Sequence, residues 1–152
     1  FAAGKATTTG GNNVAIGSYV MDSALDSSYN NVAIGYAALS SVTTSDDNVA
    51  IGKEAATSLT TGNASIYIGK HAGQVHTTGA NNIAIGYQAM DDTDAGSTSL
   101  GSNNNIFIGH SAGGGTWTDY TNNSNLETYI LSENDDLVGF FDACFMAVEA
   151  NT

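Results

Sequence analysis

Asn31-Val32-Ala33-Ile34-Gly35-Tyr36-Ala37-Ala38-Leu39 recurs in close copies along most of this chain, and no other pattern does. The copies align on an Ile-Gly pair, at Ile16-Gly17, Ile34-Gly35, Ile51-Gly52, Ile68-Gly69, Ile85-Gly86 and Ile108-Gly109. Successive glycines therefore lie 18, 17, 17, 17 and 23 residues apart. A period of this length is the mark of a chain whose units stack on one another. Two residues before each Ile stands a β-branched residue, Val14, Val32, Val49, Ile66, Ile83 or Ile106. Three residues after the Gly comes Ala38, Ala55, Ala72, Ala89 or Ala112, and Thr-Thr-Gly turns followed by Asn precede several copies.

Each part of the unit has a physical reason. In a triplet such as Val32-Ala33-Ile34 the outer two side chains share one face of a strand. Val32 and Ile34 are therefore expected to enter a core, with Ala33 on the opposite side. Gly35 permits a bend or a close backbone approach, and the following Ala keeps the corner slim. Asn tolerates turn geometry, and Asn stacked at one position in successive coils can hydrogen-bond into a ladder. One unit cannot bury its own apolar face, so stability must come from stacking. The expectation is an all-β parallel β-solenoid or β-roll of about 17-residue repeats, rising about 4.8 Å per rung. In this register Ile51→Asp or Ile68→Asp blocks folding, while Glu54→Gln is nearly silent.

The repeats cover residues 1–115, with Phe1 to Ala6 a degenerate first copy and local distortion expected at Gly17, where Val20 replaces the usual Ala. Segments such as Glu54-Ala55-Ala56 are too short to stand as helices without tertiary support. Six extra residues between Gly86 and Gly109 fall within Asp91 to Ser97, and insertions in stacked repeats map to loops on one face. Residues 116–152 differ in character, with Trp117 and Tyr120 followed by the apolar run Leu137 to Val148. That segment reads as a strand pair serving as a C-terminal cap or trimer clasp, because an uncovered solenoid end is an aggregation edge.

Charged residues make up only 12% of the 152 residues, and the formal charge is −12, from 15 acidic residues against Lys5, Lys53 and Lys70. Such a chain repels phosphate backbones, which argues against nucleic-acid binding. No apolar run reaches the roughly 18 to 20 residues that span a bilayer as a helix, which argues against membrane insertion. The opening at Phe1 reads as a processed or excised chain.

A catalytic constellation is missing from the pattern. His71 and His110 sit at different offsets from their glycines, so stacking does not align them as metal ligands, and His76 reads as an ordinary repeat residue. Cys144 lies in the apolar run and reads as a small buried hydrophobe. Adjacent carboxylates such as Asp46-Asp47 do not imply a shared cleft, so glycan cleavage is a minor reading. No Gly-Lys-Ser/Thr sequence follows an Ile-Gly pair, and the expected cofactors are none. Asp91, Asp92 and Asp94 lack the calcium-loop spacing and read as a solvated acidic loop. Together with Trp117 and Tyr120, whose rings suit stacking on sugars, they are the candidate receptor or glycan contacts. Tyr36 and Tyr87, both directly after the repeat Gly, are expected to form an aromatic ladder.

Asn31-Val32-Ala33-Ile34-Gly35, Asn48-Val49-Ala50-Ile51-Gly52 and Asn82-Ile83-Ala84-Ile85-Gly86 resemble two related repeat types. One is the head repeat of trimeric autotransporter adhesins, and the other is the repeat of bacteriophage tail fibres and virion appendages. Ile108-Gly109-His110-Ser111-Ala112-Gly113 is similar to the second, and the 17-residue period departs from the shorter adhesin repeat. The resemblance implies an intertwined or side-by-side homotrimer on a virion or in an extracellular setting. It implies a structural and adhesive, non-enzymatic role in host attachment, as the shaft or tip of a fibre. Neighbouring virion or filament subunits and a host surface glycan are the implied partners. It also implies that the chain ends where a self-cleaving chaperone domain has been removed. The competing reading is a bacterial surface adhesin or a self-assembling extracellular filament subunit.

Overall fold

Stacked copies of one unit can pair their strands only with the same strand of the next copy, and that is the arrangement found. A computed structural model describes residues 10–23, 27–91 and 103–113, together with the backbone of a last short strand at residues 129–130. The strands are β1 (Val14–Ile16), β2 (Val32–Ile34), β3 (Val49–Ile51), β4 (Ile66–Ile68), β5 (Ile83–Ile85), β6 (Ile106–Ile108) and β7 (Tyr129–Ile130). They form one parallel sheet in chain order. The register never slips, so Val14, Val32, Val49, Ile66, Ile83 and Ile106 occupy one column. The repeat chain is thus a parallel β-solenoid with one strand per coil, and no helix occurs among the described residues.

The rest of each coil is turn, yet its backbone still pairs along the stack. Gly35 N–H donates to Ile16 C=O at 2.8 Å, and Gly52 to Ile34, Gly69 to Ile51 and Gly86 to Ile68 at the same distance. Beyond the strand, Glu54 N–H reaches Tyr36 C=O at 2.7 Å and Ala56 N–H reaches Ala72 C=O at 2.9 Å. Keeping these groups axial while the chain turns through a closed coil requires left-handed backbone at fixed points. The same three offsets from the glycine adopt it in every described coil, as at Asn30, Ala37 and Leu39 in one and Asp47, Glu54 and Ala56 in the next. Each such non-Gly residue costs on the order of 1 kcal/mol, and the axial hydrogen bonds on both sides hold it there. Gly52 lies at φ +140°, and a Cβ there would collide with the Gly69 carbonyl of the next coil. The corner glycine is therefore obligatory for stacking.

Immediately before each strand a buried polar column runs along the axis: Asn31, Asn48, Ser65, Asn82 and Asn105, with half-buried Asn13 at its start. Asn48 N–H and Nδ2 donate to Asn31 Oδ1 at 2.9 and 3.2 Å, and Ser65 N–H donates to Asn48 Oδ1 at 3.0 Å. Asn105 repeats the pair onto Asn82 Oδ1 at 3.0 and 3.1 Å. The expected asparagine ladder is present. Ser65 interrupts it with a hydroxyl that still accepts from Asn82 N–H at 3.0 Å. Asn82 Nδ2 then lies 3.1 Å from Nε2 of His76, which is buried in the core rather than being an ordinary surface repeat residue. Threonines serve the turns, with Thr43 Oγ1 donating to Thr60 C=O at 3.1 Å and Thr60 Oγ1 to Thr77 C=O at 3.0 Å.

The core inverts the expected strand register. Ala33, Ala50, Tyr67 and Ala84 are fully buried, whereas the flanking Val and Ile residues are half-buried or exposed. The interior is filled from across the coil by Leu39, Val42, Leu59, Met90 and the repeat alanines, which leave room for a small strand residue. Where the strand residue is large, the residue four after the corner glycine is itself Gly. A Cβ at Gly73 would strike the Tyr67 ring, and one at Gly113 would strike Phe107. Val20 is fully buried and β1 keeps the common register, so among the described residues the Gly17 copy shows none of the expected distortion. The extra residue of that copy lies between Ser23 and Ser27, the insertion after Asp91 and the expected cap of 116–152 fall outside the described residues, except for the β7 backbone.

Two outcomes follow for chemical and thermal denaturation. Asn48→Ala leaves the buried Ser65 N–H and Gly62 C=O without Asn48 as partner and is expected to cost about 2–4 kcal/mol. Asn48→Ser, which copies the Ser65 rung, is expected to cost less than half of that. Burial pushes the Tyr67 phenol up to about 12, against the smaller opposing effect of Ser65 and Asn82. The folded state therefore holds the proton more tightly: stability is unaffected below the ordinary phenol range and falls as pH rises from about 10 to 12, by at most about 2–3 kcal/mol. Tyr67→Phe is expected to remove this part of the alkaline loss.

Candidate functional site

Because the middle residue of each triplet points inward, the two β-branched residues of every strand point outward. Val14, Val32, Val49, Ile66, Ile83 and Ile106 form one outer column, and Ile16, Ile34, Ile51, Ile68, Ile85 and Ile108 form the other. Six rungs at about 4.8 Å make this face about 24 Å long. It carries no polar side chain in either column. Ile16 is 57% exposed, Val14 44%, Ile108 39% and Ile51 36%. A continuous apolar strip along one face of a sheet is the kind of surface that another protein surface covers.

A second feature runs parallel to it, on the corner just after each glycine. The first residue past the glycine is Ser18, Tyr36, Lys53, Lys70, Tyr87 and His110 in successive coils, and stacking converts that list into a row. Tyr36 packs edge-on against Tyr19 of the previous coil, with ring centres 5.5 Å apart, and Lys53 Nζ lies 5.9 Å from the Tyr36 ring centre. Lys70 Nζ stands 5.3 Å from the centre of the Tyr87 ring. His110 stacks on Tyr87 at 5.0 Å and 19°, and His71 lies on it at 6.2 Å and 29°. Glu54 sits beside the row, 3.2 Å from both Lys53 Nζ and His71 Nε2, and accepts from Gln74 Nε2 at 3.1 Å.

The aromatic ladder expected of Tyr36 and Tyr87 takes a different form. They share a column but are three rungs apart, and each meets residues of neighbouring rungs instead. The signal was present in the residues directly following the glycines, and reading that column as a whole brings in Lys53, Lys70 and His110. His71 enters from the adjacent left-handed position, at φ 62°. Of the residues singled out as receptor or glycan contacts, Asp91 is half-buried directly after Met90. Asp92, Asp94, Trp117 and Tyr120 lie outside the described residues, as does Cys144. Among the described residues no three His, Cys, Asp or Glu side chains cluster as a metal site, and no helix is long and apolar enough to cross a membrane.

No family model, curated protein or solved structure matches this chain.

Neighbouring positions on one strand separate the two faces experimentally. Ala50→Asp places a carboxylate in the sealed core and is expected to abolish the cooperative thermal transition seen by circular dichroism, since an unpaired buried charge costs several kcal/mol. Ile51→Asp lies on the outer column and is expected to leave the coil spectrum intact. This reverses the effect that the alternating pattern alone assigns to Ile51 and Ile68.

Proposed function

We propose that this chain is a structural and adhesive segment of a fibre, with copies of the chain packed on one another through the outward Val and Ile columns. The observation that supports this most directly is the uncovered strip itself. Twelve β-branched side chains in two straight columns, with no charge among them, suit a flat partner of the same kind. Burying such residues contributes roughly 25 cal/mol per Å² of apolar area. The acidic remainder of the chain keeps other faces apart, since like charges oppose contact.

The number of copies comes from the repeat resemblance. Units with the Asn-x-Ala-Ile-Gly core are similar to those of phage tail fibres and trimeric adhesin heads, so we assign a homotrimer in which three sheets face a common axis. The role is then the shaft or tip of a bacteriophage tail fibre or similar virion appendage acting in host attachment. The chain is assigned a mechanical task and no catalytic one. A bacterial surface adhesin or a self-assembling extracellular filament uses the same stack, and differs in what happens at its ends.

Native mass spectrometry and light scattering on the purified chain test the assignment. A trimer is expected for the parent chain, and the double variant Ile51→Asp, Ile68→Asp is expected to run as a monomer with the β-sheet spectrum preserved. A parent chain that is monomeric at micromolar concentration overturns the packing role of the outer columns. Particles that lengthen with protein concentration, viewed by electron microscopy, would instead favour the filament.

A further inference from the structure

The row of Tyr36, Lys53, Lys70, Tyr87 and His110 is not needed to hold the coil. Tyr36 is 48% exposed and Tyr87 40%, while the inter-coil bonds at this corner are made by backbone, as in Gln88 N–H to Lys70 C=O at 3.0 Å. Its composition also runs against the rest of the molecule. Two of only three lysines in a chain of net charge −12 stand on adjacent rungs here. Among the described residues Lys70 is paired with no carboxylate and lies against the Tyr87 ring alone.

The geometry of the rings decides what the row can bind. His71 and His110 both lie against the Tyr87 ring, which Lys70 also approaches, so the Tyr87 face is covered by its neighbours. What the row presents is a line of polar groups, the Tyr36 and Tyr87 phenols, the Lys53 and Lys70 ammonium groups and the His110 imidazole, one per rung of about 4.8 Å, while His71 Nε2 is buried against Glu54. Phenol and ammonium donate hydrogen bonds to hydroxyls and carboxylates, and an ammonium adds charge. A folded protein partner would need a broad apolar centre, which this row lacks. A nucleic acid would bring one negative charge per short step against an acidic protein.

We infer that this corner row is a binding track for a linear acidic polysaccharide. The sugar chain lies along the solenoid axis, with a carboxylate opposite Lys53 and Lys70 and hydroxyls bonded to Tyr36 and Tyr87. A stretched glycan whose residues repeat at close to the rung spacing meets a donor at each step. Sparse carboxylates suit the site, because the two central ammonium groups are its fixed positive charge and Glu54 offsets one of them. The inference deepens the attachment role proposed above, and its site is separate from the packing columns.

Hyaluronan oligosaccharides, in which a uronate alternates with an amino sugar, are the probe, with cello-oligosaccharides as the neutral linear control. Isothermal titration at physiological salt is expected to show hyaluronan binding at least tenfold tighter than the neutral chain. Lys70→Ala and Tyr87→Ala are each expected to weaken it at least fivefold with an unchanged melting temperature. Thr44→Ala, exposed and off the row, is expected to have no effect. The double variant Ile51→Asp, Ile68→Asp is expected to bind as the parent does, which keeps this result distinct from the assembly test. No binding, equal binding of the neutral chain, equal or tighter binding of oligothymidylate, or full affinity in Lys70→Ala would each overturn the assignment.

Discussion

Axial pairing of backbone groups between coils is the constraint from which the rest of this molecule follows. A coil of about 17 residues with a single three-residue strand has few internal partners for its N–H and C=O groups. The coil before and the coil after must supply them. Each unit therefore templates its neighbour. The zero-shift register from β1 to β6, the left-handed residues at three fixed offsets, and the bare Gly52 corner all serve that one requirement. The asparagine column extends it to side chains, since Asn48 donates two bonds to Asn31 Oδ1 and accepts one at its own Oδ1 from Ser65 N–H.

The core is secondary to this backbone scaffold and is thin. In every described rung but that of Ala50 and Ala56, its volume is shared between the middle strand residue and the position six residues later, across the coil. Ala33 goes with Leu39 and Ala84 with Met90, whereas Tyr67 goes with Gly73 and Phe107 with Gly113. This reciprocity lets single rungs change shape without changing the path of the chain. It also explains how a tyrosine comes to be buried in one coil: Tyr67 occupies space opened by Gly73, and His76, its ring centre 6.4 Å from that of Tyr67, takes the buried position held by Val42 and Leu59 in the preceding coils.

The inverted register gives the surface its character. With small residues inside, the apolar bulk of the strand triplets is carried outward, where a lone chain in water gains little from it. Beside it, the corner column gathers both described lysines and several aromatic side chains into one line. One side of the solenoid thus suits self-packing, and the adjoining corner suits a hydrophilic linear ligand. Architecture and recognition are separated by only one or two residues of sequence, across the turn at each glycine.

The repeat period, the single short strand per unit, the corner glycine and the asparagine ladder were all legible in the residues, because each is a local requirement repeated at a fixed interval. So was the shared column of Tyr36 and Tyr87, although not their actual neighbours. Which face of Val-Ala-Ile turns inward was not legible from alternation, since a period of two defines two faces without saying which is enclosed. The enclosed side depends on what the far wall of the coil contributes, and Leu39, Val42 and Leu59 already fill it. Only the tertiary structure, by closing the coil on those side chains, decided that Ala33 and Ala50 lie inside and that the Val and Ile columns face outward.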